Sequence, residues 1–361
     1  EDLKVIDLPD ITLLPGLMDA HVHLIGNTDL KGYEGLSESS YLSTIYGVKN
    51  AQDTLMAGFT TVRNVGASNY SDVALKQAIA KQAVLGPTLL VSGPPLGITG
   101  GHCDSNTLPY DFKHGDDGVV DGPWEIRKKV RENRKYGADL IKFCATGGVL
   151  SKNTNLGTTQ YTADEMEAIV DEAHSRDMKV AAHAHGSEGI IRAVKAGVDS
   201  IEHGTLMDAE GMALMRQEGV YYVPTLLAGA WVAEKALIED YYPPFVERKA
   251  LEIGPQLIST FSKAYQAGVK IAFGTDTGVT PHGDNAKEFK LMVDAGMTSK
   301  EAILSATLHA SILLGEQEDL GSISRGKLAD IIAVSGNPLE DITNLESVDF
   351  VMKDGNVVKK P

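Results

Sequence analysis

Two histidines separated by one residue, His21 and His23, end an apolar run that begins at Gly16. In a β-strand, residues at i and i+2 lie on the same face, so both imidazoles can reach one metal ion. A single His-x-His pattern is weak evidence, because two ordinary polar residues at a strand end produce the same spacing. The case for a metal site therefore depends on what the other strands carry.

Further possible metal ligands stand at the ends of other apolar runs. The fifth predicted strand ends with His183, the sixth with His203 and the eighth with Asp276. In a (β/α)8 barrel the carboxyl ends of the parallel strands meet around one cavity, where catalytic residues are found. With His21 and His23 these positions supply five nitrogen or oxygen ligands at the same end of the predicted strands. The sequence therefore predicts a metal centre.

Lys142 lies inside the apolar segment Leu140-Ile141-Lys142-Phe143. Burying its ammonium group without a partner would be costly. One interpretation is a buried lysine neutralised by an acidic side chain. The other is that the neutral amine has reacted with carbon dioxide to form a carbamate, a carboxylate on a long stem that can bridge two divalent ions. The residues alone leave both interpretations open.

The elements that must position these side chains alternate between short β-branched runs and helical patterns. Near-continuous apolar runs are typical of strands buried on both faces of a parallel sheet. Eight such units predict an α/β fold, a (β/α)8 barrel of the TIM type. The runs are 16–22, 60–65, 88–92, 140–145, 180–184, 200–203, 221–226 and 271–275.

Helix starts and a change of pattern near the C-terminus complete the predicted architecture. Thr162 and Glu165 form a capping-box pattern, and Asp208 and Thr298 resemble further N-caps. After Gly315, two strand-like segments, 321–334 and 348–358, are separated by turns. We expect a barrel over 15–315 and a small β-sandwich appendage over 1–14 and 316–361, whose N-terminal strands are incomplete.

Composition restricts the possible partners. The 361-residue chain carries a formal charge of −16, which argues against nucleic acid and anionic membranes and favours a small molecule. No apolar run approaches the roughly 20 residues that cross a bilayer. Cys103 and Cys144 lack the paired spacing of a zinc ribbon or redox motif. We expect a soluble protein, cytoplasmic or else secreted or periplasmic after removal of a leader.

Several segments together resemble the binuclear amidohydrolases, in particular the imidazolonepropionase-like branch with Xaa-Pro and other dipeptidases, carboxypeptidases and ochratoxin amidases. The resemblance extends from Pro15 to the segment Gly326-Lys327-Leu328-Ala329-Asp330. The segments that carry it are Pro15-Gly16-Leu17-Met18-Asp19-Ala20-His21-Val22-His23, Lys142 with Thr146-Gly147-Gly148, His183-Ala184-His185-Gly186, Ile201-Glu202-His203-Gly204-Thr205 and Gly274-Thr275-Asp276.

The resemblance implies a site with two divalent ions, zinc being the first choice, and a carboxylated Lys142 that bridges them. His102 would polarise the scissile carbonyl, and His185 would contact a substrate carboxylate. Tyr161 is a further candidate for the pocket lining, although an aromatic residue before an N-cap commonly packs as a hydrophobic staple. His114, His174, His282 and His309 are interpreted as structural or solvated. The expected ligands are His21, His23, Lys142, His183, His203 and Asp276.

The expected function is hydrolysis of an amide bond by a metal-bridging hydroxide, with Asp276 as proton shuttle. The substrate would be a dipeptide or N-acyl amino acid with a free carboxylate, which loses its C-terminal amino acid. As in related enzymes, the chain would form a homo-oligomer. The alternatives are a cyclic amide, imidazolone or lactone hydrolase, a phosphotriester hydrolase, and a non-catalytic scaffold, which usually lacks the ligands present here.

Overall fold

The chain folds into an α/β structure with parallel strands. The computed structural model describes residues 5–30, 32–106, 108–112, 117–152 and 154–361, so His114 lies outside the described residues. Seven of the eight predicted strands are present in two parallel sheets, β2-β3-β4 and β5-β6-β7-β8. Their bounds are β2 Leu17–Val22, β3 Phe59–Asn64, β4 Thr88–Val91, β5 Leu140–Cys144, β6 Lys179–Gly186, β7 Ser200–Leu206 and β8 Tyr221–Val223.

The eighth predicted strand, 271–275, is not a regular strand, yet its backbone bonds to both parallel sheets. Ala272 N donates to Tyr222 O (3.0 Å), and Ala20 N donates to Phe273 O (2.9 Å). At the other edges of the sheets, the segment after β4 bonds to β5, because Leu96 N donates to Lys142 O at 2.8 Å. These bonds bring the carboxyl ends of the strands together.

Helices precede or follow the parallel strands and cover them. The capping box of Thr162 and Glu165 is present, and the side chains of Asp208 and Thr298 accept N-cap hydrogen bonds as expected. The helices are α1 Ser40–Met56, α2 Ser71–Ala80, α3 Pro123–Tyr136, α4 Ala163–His174, α5 Ser187–Ala196, α6 Ala209–Glu218, α7 Leu226–Lys235, α8 Pro244–Gln266, α9 Lys287–Asp294, α10 Ser299–Leu304 and α11 Ala310–Leu314.

Two predicted strand boundaries are wrong. The strand predicted over 221–226 ends at Val223, because Thr225 takes a left-handed conformation (φ 51°) and α7 begins at the next residue. The strand predicted from Gly321 begins only at Ile331. Gly321 and Gly326 both have positive φ (86° and 95°), so the intervening chain turns instead of extending.

A third sheet joins the two ends of the chain. It is antiparallel, with the order β1-β9-β10-β11, and the described residues place a strand before Pro15 directly beside a C-terminal strand. Its strands are β1 Ile11–Pro15, β9 Ile331–Ser335, β10 Val348–Lys353 and β11 Asn356–Lys359. Within the described part of the chain, the helices are all too short or too polar to cross a membrane.

Candidate metal centre

One cavity of about 330 Å³ collects the side chains that the sequence singled out. This volume is in the range of cavities that hold small molecules. Tyr161 is the exception: its side chain is buried beside Phe143, its hydroxyl donates to Val120 O (3.1 Å), and it does not line the cavity. The predicted residues that do line it are His21, His23, His102, Lys142, His183, His185, His203 and Asp276.

His21, His23 and Asp276 form a group whose ligand atoms lie within 4.8 Å of one another. The Nε2 atoms of His21 and His23 are 3.4 Å and 3.3 Å from the same oxygen, Oδ1 of Asp276. The three side chains therefore converge on one point. Two imidazole nitrogens and a carboxylate oxygen are suited to a divalent ion such as zinc.

Backbone bonds between β2 and the segment after Gly274 hold this group in place. Asp276 N donates to His21 O (2.7 Å), and His23 N donates to Thr277 O (2.7 Å). The buried carboxylate of Asp19 accepts from His21 N and from the Thr275 hydroxyl. Asp276 has a positive φ of 61°, a strained conformation that aspartate tolerates better than most residues and that is concentrated at functional sites.

Glu202 lies behind His21 and fixes the orientation of its ring. Glu202 Oε2 is 2.7 Å from His21 Nδ1, which leaves Nε2 for the cavity. Arg63 donates to Glu202 Oε1 (2.9 Å), and both side chains are buried. Burial alone would raise the pKa of Glu202, but the Arg63 guanidinium and the His21 hydrogen bond hold the pKa at about 2. A carboxylate behind a metal-binding histidine is the usual arrangement in metal sites.

Neither Glu202 nor Arg63 was predicted to have a role from the sequence. A signal was present, because Arg63 stands inside the apolar segment Thr60-Thr61-Val62-Arg63 and a buried arginine needs an acidic partner. Which acidic residue forms an ion pair with Arg63 depends on how strands that are distant in sequence pair with one another. That pairing could not be read from either segment alone.

His183 and His203 lie beside the first group. Their ring centroids are 4.6 Å apart, and that of His203 is 5.0 Å from that of His21. His203 Nδ1 is 2.7 Å from the hydroxyl of Thr225. Burial, followed by neighbouring cationic and imidazole groups, holds the pKa of His183 and of His203 well below the ordinary value. Both rings are therefore neutral at pH 7, the form that binds metal.

Lys142 projects from β5 into the same cavity and is almost completely buried. Within the described ranges, its ammonium group forms no hydrogen bond or ion pair, although Glu202 and Asp276 act on it at longer range. Burial lowers the pKa of Lys142 to about 8. The amine is therefore deprotonated far more often than that of a surface lysine.

Two further histidines complete the cavity wall. Burial and nearby cationic groups lower the pKa of His102 to about 4, and burial with the His102 ring lowers the pKa of His185 to about 3. Both imidazoles are neutral at pH 7 and each has a single N–H. His185 Nδ1 is 2.7 Å from the hydroxyl of Thr205.

Another part of the cavity lining is apolar and comes mainly from α7 and α8. This apolar wall contains Ala228, Val232, Ile253 and Leu257, together with Val149 from the loop after β5. Polar and apolar side chains therefore line one space that is large enough for a small molecule. A second cavity of about 440 Å³ continues past His23 and His102.

Cys103 and Cys144 form a disulfide bond at the cavity wall, which sequence spacing gave no reason to expect. Their Cα atoms are 6.0 Å apart, although 41 positions separate them in sequence. The bond joins the residue after His102 to the strand that carries Lys142. It therefore ties the His102 loop to β5.

Comparison with known proteins agrees with this arrangement. A model of the amidohydrolase family matches residues 12–358. Ochratoxinase from Aspergillus niger is 35% identical over 378 residues, which cover 97% of this chain and 76% of that protein.

Two solved structures are also similar. A Xaa-Pro dipeptidase with methionine in its active site is 47% identical, with a TM-score of 0.93 over 98% of this chain and 88% of the other. A prolidase in complex with N-methylphosphonate-L-proline is 33% identical, with a TM-score of 0.89 over 99% and 91% of the two chains. The chain therefore belongs to the amidohydrolase family and is a hydrolase.

Proposed function

We propose that the protein hydrolyses an amide bond next to a free carboxylate and so releases the C-terminal amino acid of a dipeptide or N-acyl amino acid. One observation carries this proposal: two neutral histidines, His102 and His185, line the metal cavity in addition to the expected ligands. One can face a carbonyl group and the other a carboxylate. Similarity to ochratoxinase and to Xaa-Pro dipeptidase supports the same class of substrate.

The site is proposed to hold two divalent ions, zinc in the first instance, with a carboxylated Lys142 between them. The convergence of His21, His23 and Asp276 and the adjoining pair His183 and His203 support two ligand groups. The buried Lys142, whose pKa is lowered to about 8, supports a carbamate, because only the neutral amine reacts with carbon dioxide.

Bound divalent ions would supply an activated water at neutral pH, since metal binding lowers the pKa of water from 15.7 to about 7. Asp276 is proposed to accept the proton of the attacking water and to deliver it to the departing amine. No covalent bond between enzyme and substrate is needed.

His102 is proposed to donate its N–H to the carbonyl oxygen as negative charge develops there. His185 is proposed to donate to the substrate carboxylate, with Thr205 behind its other ring nitrogen. The apolar wall of α7 and α8 suits a substrate with an aliphatic or aromatic side chain. Excluding water from the cavity would strengthen the hydrogen bonds made there.

The positions of these residues agree with a (β/α)8 barrel over 15–315 that carries an appendage from the two chain ends. Backbone bonds from 270–277 to β8 and to β2, and from Leu96 to β5, support closure of the two parallel sheets. The antiparallel sheet of β1, β9, β10 and β11 supports the appendage.

Two substrates that differ only in their terminus test the proposal. A dipeptide or N-acyl amino acid with a free carboxylate is compared with its C-terminal amide, using the wild type and His185→Ala. Amidation should lower kcat/KM strongly in the wild type and much less in the variant. Amidation of the substrate and the His185→Ala substitution each remove the same interaction between His185 and the substrate carboxylate, so the second change has little left to remove. His185→Gln, which retains an N–H donor, should restore part of the discrimination.

The outcome also separates the alternatives. Equal rates on the free and amidated substrates would reject carboxylate recognition and favour a cyclic amide, imidazolone or lactone hydrolase. A panel of those substrates measured in parallel would identify which one. No hydrolysis of any of them by the metal-loaded protein would reject these substrates and leave a phosphotriester as the next class to assay.

A further inference from the structure

One ring nitrogen of His102, Nδ1, is contacted by a hydroxyl group. His102 Nδ1 is 2.9 Å from the Oγ atom of Ser151, a buried residue of the loop after β5. Ser151 does not line the cavity. It can therefore act on a substrate only through the His102 ring.

Ser151 is itself hydrogen bonded to Thr154. The two hydroxyl oxygens are 2.5 Å apart, and Thr154 Oγ1 accepts from the backbone N–H of Gly148 at 3.4 Å. Both hydroxyls also lie 3.3 Å from Gly148 O, a longer and weaker alternative. The order of contacts from Gly148 to His102 is thus amide, threonine hydroxyl, serine hydroxyl, imidazole.

The direction of these hydrogen bonds follows from which acceptors the hydroxyl protons can reach. The Gly148 amide can only donate, so Thr154 accepts there. The proton of Thr154 can go to Ser151 Oγ at 2.5 Å or to Gly148 O at 3.3 Å, and the second contact is longer than an ordinary O–H···O bond, so donation to Ser151 is favoured. Ser151 then accepts from Thr154 and keeps its proton for His102 Nδ1. With Nδ1 as an acceptor, a neutral His102 has its proton on Nε2. Each hydroxyl accepts once and donates once along the shortest contacts.

The loop that carries this pair is fixed from the opposite side. Lys249 of α8 is buried, and its ammonium group donates to Gly148 O and Ser151 O, both at 2.6 Å, and to Thr154 O at 3.3 Å. A cation bound to three carbonyl oxygens is a strong tether. Within the described part of the loop, the two hydroxyls are therefore held at constant positions.

His102 is held just as firmly. Its backbone N–H donates to Gln160 Oε1 (3.0 Å), and the disulfide of Cys103 with Cys144 follows directly. The ring fits against Gly148, where an added Cβ would lie 2.2 Å from the ring carbon Cε1. With the backbone and the ring plane both fixed, the variable that remains is which ring nitrogen carries the proton.

We propose that Ser151, oriented by Thr154, is a positioning residue that sets His102 in the tautomer with the proton on Nε2, so that this N–H is available to the substrate carbonyl. The proposal rests on the proposed role of His102 in amide hydrolysis. In the other tautomer, Nε2 would present a lone pair to the developing oxyanion and repel it. The serine thus acts on catalysis without contact with substrate or metal.

The tautomer can be measured without turnover. Long-range ¹H–¹⁵N spectra of metal-free protein with ¹⁵N-labelled histidine distinguish a protonated from an unprotonated ring nitrogen, and His102→Gln identifies the signal by its disappearance. We expect protonated Nε2 in the wild type and a shift towards protonated Nδ1 in Ser151→Ala. An unchanged His102 signal in Ser151→Ala, or protonated Nδ1 in the wild type, would overturn the proposal.

Kinetics provide the second test. Ser151→Ala should lower kcat by about 10- to 100-fold, at most the smallest loss that is typical when an oxyanion donor is removed. KM should change by less than about twofold, and the metal content should not change. In a His102→Gln background, where the amide donor needs no tautomer, the same substitution should change kcat less than about twofold. Equal losses in both backgrounds would show a merely structural role and reject the proposal.

Variants of Thr154 cover the case in which Ser151→Ala does not fold. Thr154→Val removes the hydroxyl that orients Ser151 and should lower kcat in the same direction, whereas Thr154→Ser should retain most of the activity. Equal activity of the two Thr154 variants would contradict the proposal that Thr154 orients Ser151. If the wild type does not hydrolyse carboxylate-bearing amides, the proposed function fails, but the tautomer measurement still decides the role of Ser151.

Discussion

The two sides of the metal cavity are held by different means. On the strand side, formed by His21, His23 and Asp276, backbone bonds between β2 and the segment after Gly274 position the side chains. On the loop side, formed by His102, Ser151 and Thr154, side-chain hydroxyls, a tethering lysine and a disulfide do so. The strand side is proposed to hold metal, and the loop side is proposed to face the substrate.

This difference predicts how each side fails. A strand cannot move one ligand without disturbing its neighbours, so damage there should be seen in metal binding and in the chemical step. A loop held by a few side-chain contacts can lose one of them and still return to the productive position part of the time. Damage there should lower kcat while the metal content stays constant.

The largest effect is expected from Asp276→Asn on the strand side. The amide keeps the shape of the carboxylate but cannot accept the proton, so kcat should fall by about 10²- to 10⁴-fold, the contribution typical of general acid–base catalysis. Steady-state kinetics together with metal analysis measure this. Asp284→Asn is the control, since Asp284 pairs with Lys287 and does not line the cavity.

An Asp276→Asn variant with more than about a tenth of the wild-type kcat would move the proton transfer to another group. If the Asp276→Asn variant binds no metal, Asp276 acts mainly as a metal ligand.

Glu202→Gln should have an intermediate effect. It removes the negative charge behind His21 and leaves Arg63 without its partner, and loss of such a supporting carboxylate typically weakens metal affinity by about 10- to 100-fold. Competition with a coloured chelator measures the affinity. The matched control is Glu172→Gln, since Glu172 is also buried among arginines but belongs to α4. Equal metal affinity in Glu202→Gln and wild type would contradict the strand-side account.

The smallest effect on catalysis is expected from Cys103→Ser on the loop side. Without the disulfide the His102 loop spends only part of its time in the productive position, so kcat should fall by less than about 10-fold. The free energy of unfolding should decrease by about 4 kcal/mol, because the bond closes a loop with a sequence separation of 41 residues.

Cys144→Ser removes the same bond from its other end, so the two single variants and the double variant should behave alike. Metal content should equal that of the wild type in all three. If Cys103→Ser loses metal, the two sides of the cavity are not independent.

The strand side is also the side that sequence could predict. His21 and Asp276 on the strand side, and the neighbouring His183 and His203, stand at or next to the end of an apolar run. The ends of parallel strands converge in this fold independently of the loop sequences, so such residues are brought together. The partners Glu202 and Arg63 were not identified, because the pairing of one strand with another depends on the whole sheet.

The contacts that hold the loop side could not be predicted from the sequence. His102 was selected through the family resemblance, but nothing in its neighbourhood indicated that Ser151 and Cys144 would contact its loop from far along the chain. Tyr161 was assigned to the pocket, yet its hydroxyl bonds to Val120 O and its ring packs in the core. Its position directly before the capping box of α4 was the better guide.

The central claim, a two-metal amide hydrolase, is tested most directly by titrating metal-free protein with zinc while hydrolysis of an N-acyl amino acid is followed. Activity should be absent without metal and reach its plateau at about two equivalents per chain. Lys142→Ala, measured in parallel, should lack activity and recover part of it when a short carboxylic acid is added. Full activity without metal, a plateau at one equivalent, or a fully active Lys142→Ala would contradict the account.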